Sequence, residues 1–129
     1  GLVIAAIAAE YAPDMTIRLV ESDIRKSAFM HQASQAMGLS PDIQTCRVED
    51  LKPQKADVIS ARALAPVQKL LDFSELHGDK DTISLFSKGK NHELELTEAR
   101  KYWTFKLQKT ASFTDSDGVI LKIGGLSRV

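Results

Sequence analysis

The amino-acid sequence predicts an α/β sandwich with a mostly parallel sheet and an antiparallel C-terminal edge. Two observations carry this reading. Short β-branched and apolar runs alternate with longer stretches of helical periodicity, the pattern of strands joined by crossover helices. The last two strand-like runs are separated only by a polar turn, which makes a hairpin and hence an antiparallel edge. No repeat, low-complexity tract or linker interrupts the order.

The elements follow one another plainly. Leu2 to Tyr11 is alanine-rich and reads as a helix, closed by Pro13 and Asp14. Thr16 to Val20 is a short strand that runs into Glu21, Ser22 and Asp23. Ile24 to Met37 is helical, with Ile24, Ala28, Phe29, His31 or Gln32, and Ala36 recurring at helical spacing and Gly38 as a C-terminal stop. Ile43 to Val48 and Asp57 to Ser60 read as the next two strands, and a helix begins near Pro66 and covers Val67, Leu70, Leu71 and Phe73. Thr82 to Phe86 is a further strand, ending at Ser87-Lys88-Gly89. Asn91 caps an exposed helix to Lys101, and strands near Trp103 to Gln108 and Val119 to Ile123 flank the turn Thr114-Asp115-Ser116-Asp117-Gly118. Trp103, Phe105 and Leu107 alternate as strand residues do, so Trp103 reads as packing rather than as a stacking platform.

Composition bounds the function. At 129 residues the chain has the size of one domain, spanning 1–129, and its 43% hydrophobic and 26% charged residues are those of a soluble globular protein. No apolar run reaches the roughly 18 residues of a membrane span, and the apolar opening lacks the basic flank of a signal peptide. The expectation is a cytoplasmic monomer without a membrane partner. A single cysteine, Cys46, excludes an internal disulfide and reads as a buried small side chain in a strand. Basic and acidic residues balance at 17 each, so net charge neither points to nor excludes a nucleic-acid partner.

In a doubly wound sheet the first unit is a strand, a glycine-rich loop, a helix and a second strand ending in an acid. Here the helix and second strand are present, with Glu21 where the acid belongs, while the first strand and its loop are not. That strand would be central in the sheet. The expectation is therefore a partial domain with an unfilled slot between its strands.

Residues at the strand ends are the candidates for chemistry. Glu21 can accept both hydroxyls of a ribose, or serve only as a solvated acid. Glu49, in Cys46-Arg47-Val48-Glu49-Asp50, follows the next strand. Arg62, in Ser60-Ala61-Arg62-Ala63-Leu64-Ala65-Pro66, follows the third and can pair with a carboxylate or phosphate, or stack on a base. Lys88 repeats the pattern one strand later. Arg25, Lys26, Lys88 and Lys90 are candidate phosphate contacts, weighed against ordinary surface solubility. His31, His77 and His92 lack ligand spacing for zinc, so no metal is expected. A nucleophile elbow and a phosphate-binding Walker sequence are also absent.

Taken in order, Leu19-Val20-Glu21-Ser22, Arg25-Lys26 with Phe29, Arg47-Val48-Glu49, Ser60-Ala61-Arg62-Ala63 and Lys88-Gly89 resemble the bacterial RsmG family, also called glucose-inhibited division protein B. The resemblance runs from Gly1 to Val129, and its most specific parts are the Ser-Ala-Arg-Ala-Leu-Ala-Pro stretch and the later Lys-Gly. It implies a Rossmann-like class I methyltransferase sandwich that uses S-adenosylmethionine. It also implies methyl transfer to N7 of one guanine in a conserved loop of 16S ribosomal RNA, with that RNA or the small ribosomal subunit as partner. By resemblance Glu21 holds the cofactor ribose, Val48 and Glu49 contact its adenine end, and Arg62 lies beside both the cofactor and the methyl-transfer site as the catalytic residue. Gly1 looks like the last glycine of the family's cofactor loop. Guanine N7 carries a lone pair and no proton, so its attack needs no general base, only alignment and charge stabilisation. Other expectations remain open: a different class I methyltransferase acting on a small molecule or protein, a nicotinamide-dependent protein of the same fold, or an inactive fragment.

Overall fold

The computed structural model describes residues 1–62, 64–112 and 117–129. In chain order the elements are α1 (Leu2–Tyr11), β1 (Arg18–Val20), α2 (Ile24–Ala36), β2 (Asp42–Gln44), a 3₁₀ turn (Val48–Asp50), β3 (Val58–Arg62), α3 (Val67–His77), β4 (Ile83–Lys88), α4 (His92–Ala99), β5 (Trp103–Ala111) and β6 (Val119–Arg128). The alternation is that of an α/β protein. Two compact units divide the chain, Gly1–Leu51 and Lys52–Val129.

In the N-terminal unit β1 and β2 pair in parallel, Arg18 opposite Asp42 and Val20 opposite Gln44. The ladder gains one more bond where the Glu21 amide donates to the Gln44 carbonyl at 3.0 Å, and then the chain turns into α2. The sequence predicted a longer second strand, Ile43 to Val48. It stops at Gln44 because its partner stops: Asp23 caps α2 two residues beyond Glu21, so nothing remains for Thr45 onward to pair with. Val48 and Glu49 lie instead in the 3₁₀ turn, and Cys46, expected in a strand, is half-buried in the bend before it.

Helix α2 ends as its sequence foretells. Gly38 adopts φ +68°, and the amides of Gly38 and Leu39 return to the carbonyls of Gln35 and Ser34 at 3.1 and 2.8 Å. These are the paired bonds of a Schellman stop, for which glycine carries no steric penalty. The residues that show its helical spacing are not the ones it buries. Ile24 and Phe29 are 76% and 66% exposed, whereas Ser27 and Ser34 are buried. Small hydroxyl side chains let the helix approach β2 closely, and the hydroxyls of Ser27 and Thr45 share a hydrogen bond.

In the C-terminal unit the strand order is β3-β4-β6-β5. β3 and β4 are parallel, and β6 lies between β4 and β5, antiparallel to both. The antiparallel edge expected at the C-terminus is present, with β6 as its inner strand and β5 outermost. Strand β6 runs well past the Ile123 at which the sequence seemed to end it. Between Thr104 and Lys106 the register shifts, and Gly125 takes φ +59° opposite the irregularity. The glycine absorbs the extra residue and the ladder continues to Arg128. The turn residues Thr114, Asp115 and Ser116 lie outside the described residues.

The core of this unit is Val67, Leu70 and Leu71 from α3, Phe86 from β4, Leu96 and Ala99 from α4, Trp103 from β5, and Leu121 and Ile123 from β6. Trp103 is packing, as its alternation predicted, with the Arg128 guanidinium 4.3 Å from its ring centroid. Asn91 occupies the N-cap position of α4 but its side chain makes no capping bond, contrary to expectation.

Asp42 contributes to the acid response of the N-terminal unit. A hydrogen bond from Gln44, and after it the guanidinium of Arg18, hold its carboxyl below the usual aspartate value. A depressed carboxylate stabilises the fold above its unfolded pKa, about 3.9, and that contribution is lost as pH falls through the folded value. Thermal unfolding of wild type and Asp42→Asn across a pH series is expected to show wild type more stable above about pH 4, with the two converging below it. A gap that persists undiminished into stronger acid would remove Asp42 as its source.

Candidate functional site

Parallel pairing brings successive strand ends to one side of a sheet. In the N-terminal unit this places Glu21, just past β1, on the same edge as the segment after β2 that carries Val48 and Glu49. Glu21 is half-buried, and its Oε1 accepts the Asp23 amide at 3.0 Å. Asp23 in turn caps α2, its Oδ1 accepting the amides of Arg25 and Lys26 at 2.8 and 3.2 Å. The carboxylate of Glu21 is thus oriented through one oxygen, and no described residue engages Oε2. That arrangement suits acceptance of hydroxyl protons from a vicinal diol. Glu49 is exposed, and the Val48 carbonyl closes the 3₁₀ turn by accepting the Leu51 amide at 3.3 Å.

Arg25 and Lys26 commit their backbone amides to the cap and leave their side chains exposed. Gly1 stands against Leu19: a Cβ added there would come within 2.8 Å of Leu19 Cδ2. The helix start therefore lies close over the buried residue of β1, as a glycine allows.

In the C-terminal unit Arg62 is the last residue of β3, opposite Ser87 of β4, and is exposed. Among the described residues it makes no ion pair. Lys88 ends the neighbouring strand but is placed differently. Its ammonium donates to the Ala65 carbonyl at 2.8 Å and lies 2.8 Å from Glu95 Oε1, with 9% of its side chain exposed. Lys90, in the turn before α4, is exposed. No group of His, Cys, Asp or Glu able to hold a metal occurs among the described residues. No helix among them is long and apolar enough to cross a membrane.

Two carboxylates that accept helix-terminal amides, Asp23 and Glu95, are not among the candidates from sequence. Asp23 stood directly before a helical run, the usual signature of an N-cap. Glu95 lies in a helix whose sequence indicates exposure, yet it adjoins the buried stripe of Leu96 and Ala99. A shallow cleft of about 530 Å³ lies at the opposite end of β4, lined in part by Lys80, Thr82, Lys106, Lys122 and Gly124. It contains none of the residues chosen from sequence.

The model of the GidB family, described as rRNA small subunit methyltransferase G, matches residues 1–121. The chain belongs to this family. Among curated relatives, the ribosomal RNA small subunit methyltransferase G of Ruegeria sp. (strain TM1040) is 42% identical over 129 residues, which is 100% of this chain and 63% of the relative. That of Cereibacter sphaeroides (strain ATCC 17029 / ATH 2.4.9) is 43% identical over the same 129 residues, again 63% of its length. The chain thus spans a little under two thirds of the relatives it matches.

Among solved structures, the ribosomal protein L11 methylase from Lactobacillus delbrueckii subsp. bulgaricus superposes with a TM-score of 0.70 at 16% identity, covering 96% of this chain and 65% of that one. M. jannaschii TYW2 in complex with AdoMet gives 0.64 at 9% identity, covering 96% and 63%. At such identities the likeness concerns the fold alone, and that fold is the Rossmann-like sandwich of class I methyltransferases.

The Asp23 cap orders the stretch that follows Glu21. Asp23→Ala is expected to cost about 1 kcal/mol in chemical denaturation, with Asp23→Ser recovering most of it. Equal stability of wild type and the alanine variant would show that the cap contributes nothing here.

Proposed function

We propose that this chain supplies the adenosine-holding and substrate-facing parts of a methyltransferase that modifies N7 of a guanine in 16S ribosomal RNA with S-adenosylmethionine. The observation that carries the reading is Glu21, a carboxylate at a parallel strand end, oriented by the Asp23 amide and open at its second oxygen, in a chain of the rRNA small subunit methyltransferase G family. The donor set fits the cofactor: a half-buried carboxylate for the ribose diol, with Val48 and Glu49 following the next strand on the same edge for the adenine. When bound, S-adenosylmethionine supplies an electrophilic methyl group on a sulfonium.

The protein's task is then alignment. Guanine N7 brings its own electron pair and loses no proton, so no side chain need act as a base. Transfer leaves positive charge on the purine, and a guanidinium set against N7 would oppose it. Arg62 is therefore best used on the phosphate of the target nucleotide, holding it while the ring meets the methyl group. Arg25 and Lys26 in the N-terminal unit and Lys90 in the C-terminal unit, with exposed side chains, are each assigned to RNA phosphates, and displacement of the target base from its stack is expected. The small ribosomal subunit or its RNA is the partner.

Calorimetric titration of the full chain with S-adenosylhomocysteine is expected to show binding, and Glu21→Ala to weaken it by about ten- to a hundredfold, the loss of a charge-assisted hydrogen-bonded pair. Binding of NADH alone would end the cofactor assignment. Radiolabelled methyl transfer to small-subunit RNA with and without the target guanine tests the substrate. Label is expected only where the guanine is present, and equal labelling of both RNAs would sink the guanine reading.

A further inference from the structure

The side chain of Lys88 points into the protein, and its partners show what it holds. Burial alternates along β4, with Ser84 and Phe86 on the buried face. Lys88 shares that face by the two-residue period of a strand. Its Nζ meets the Ala65 carbonyl and Glu95 Oε1, each at 2.8 Å. The same Glu95 oxygen accepts the Val67 amide at 2.9 Å. Val67 opens α3, where backbone amides lack partners within the helix, and the residue before it, Pro66, offers no capping side chain. Glu95 therefore supplies from α4 the acceptor that the N-terminus of α3 lacks, and Lys88 supplies from β4 the donor for Ala65. At its other end the same connection is fixed by the β3–β4 ladder, where Arg62 sits opposite Ser87.

We propose that Lys88 and Glu95 are a positioning pair for Arg62: they anchor Ala65 and Val67 at the start of α3, while the β3–β4 ladder holds Arg62 itself, so that the guanidinium meets the substrate in one place. The inference rests on the functional reading above and reassigns Lys88 from phosphate contact to support. The polarity of the pair matters as much as its charge. The ammonium faces a carbonyl and the carboxylate faces an amide, so exchanging the two would keep their attraction and lose both backbone bonds.

The test uses the full chain with Glu95→Ala, Glu95→Gln and the exchanged double variant Lys88→Glu/Glu95→Lys. Two quantities are read: hydrogen exchange at the Val67 amide against that of Leu71 in the α3 core, and kcat and KM for methyl transfer to small-subunit RNA. In Glu95→Ala and in the exchanged variant, Val67 is expected to exchange at least about tenfold faster with Leu71 unchanged. In both, kcat should fall at least about tenfold while KM for RNA stays within about threefold. Glu95→Gln, which keeps an acceptor for Val67, should recover most of the protection and of kcat. Unchanged exchange at Val67 in Glu95→Ala overturns the proposal, as does faster exchange with kcat intact. Full recovery in the exchanged variant overturns it too, because charge alone would then suffice. If Glu95→Ala does not fold, the exchanged variant carries the same test with its ion pair kept. If wild type transfers no methyl to RNA, the functional reading fails, and the exchange data still decide whether the pair fixes the connection.

Discussion

Parallel strand pairing is the constraint from which the useful geometry follows. Two parallel strands cannot be joined by a tight turn, so the chain must leave one strand, cross over through another element and re-enter at the far end. The exits of strands paired in parallel then fall on one edge of their sheet. In the N-terminal unit the exits are Glu21 and the segment leading to Val48 and Glu49; in the C-terminal unit they are Arg62 and Lys88. The residues that can meet a ligand are gathered by pairing direction before any of their own interactions are formed. What those interactions add is anchorage: Asp23 accepts backbone amides at the start of α2 in one unit, and Glu95 accepts the Val67 amide at the start of α3 in the other.

Much of the fold could be read from the residues, because local signals and packing agree along most of the chain. Helix α1 has the bounds its composition indicates, Gly38 stops α2 by the left-handed conformation that glycine allows, and Trp103 alternates into the core. The two differences in strand length share a cause: strand length belongs to a pair of strands. The run from Ile43 has strand composition throughout, yet β2 ends at Gln44 because β1 gives way to a helix cap. Conversely β6 passes through Gly124 and Gly125, residues that look like a stop, because β5 continues beside it. Ile24 and Phe29 have helical spacing, but the face turned inward is that of Ser27 and Ser34, where side-chain size rather than apolarity decides how near β2 can come.

The candidate site was legible as a set of strand ends and illegible as a set of directions. Sequence placed Glu21, Glu49, Arg62 and Lys88 at such ends without distinguishing the exposed Arg62 from the inward Lys88. The distinction was nonetheless present in the two-residue period that puts Lys88 on the side of Phe86. Glu95 could not have been paired with Val67 from sequence, since that bond joins residues 28 apart on two different helices. A carboxylate borrowed from a neighbouring helix leaves no local signature.

The strand order of the C-terminal sheet also governs how the molecule meets copies of itself. Strand β6, whose Val119-Ile120-Leu121 stretch is the most strongly β-forming, is enclosed between β4 and β5. The outer place falls to β5, which carries Lys106 and Lys109 and faces, at Phe105, the extra residue that β6 inserts at Gly125 and Leu126. A border strand carrying lysines is a poor template for a further strand. The sheet thus keeps its bulge inside and its charges outside, an arrangement that discourages edge-to-edge stacking along β5.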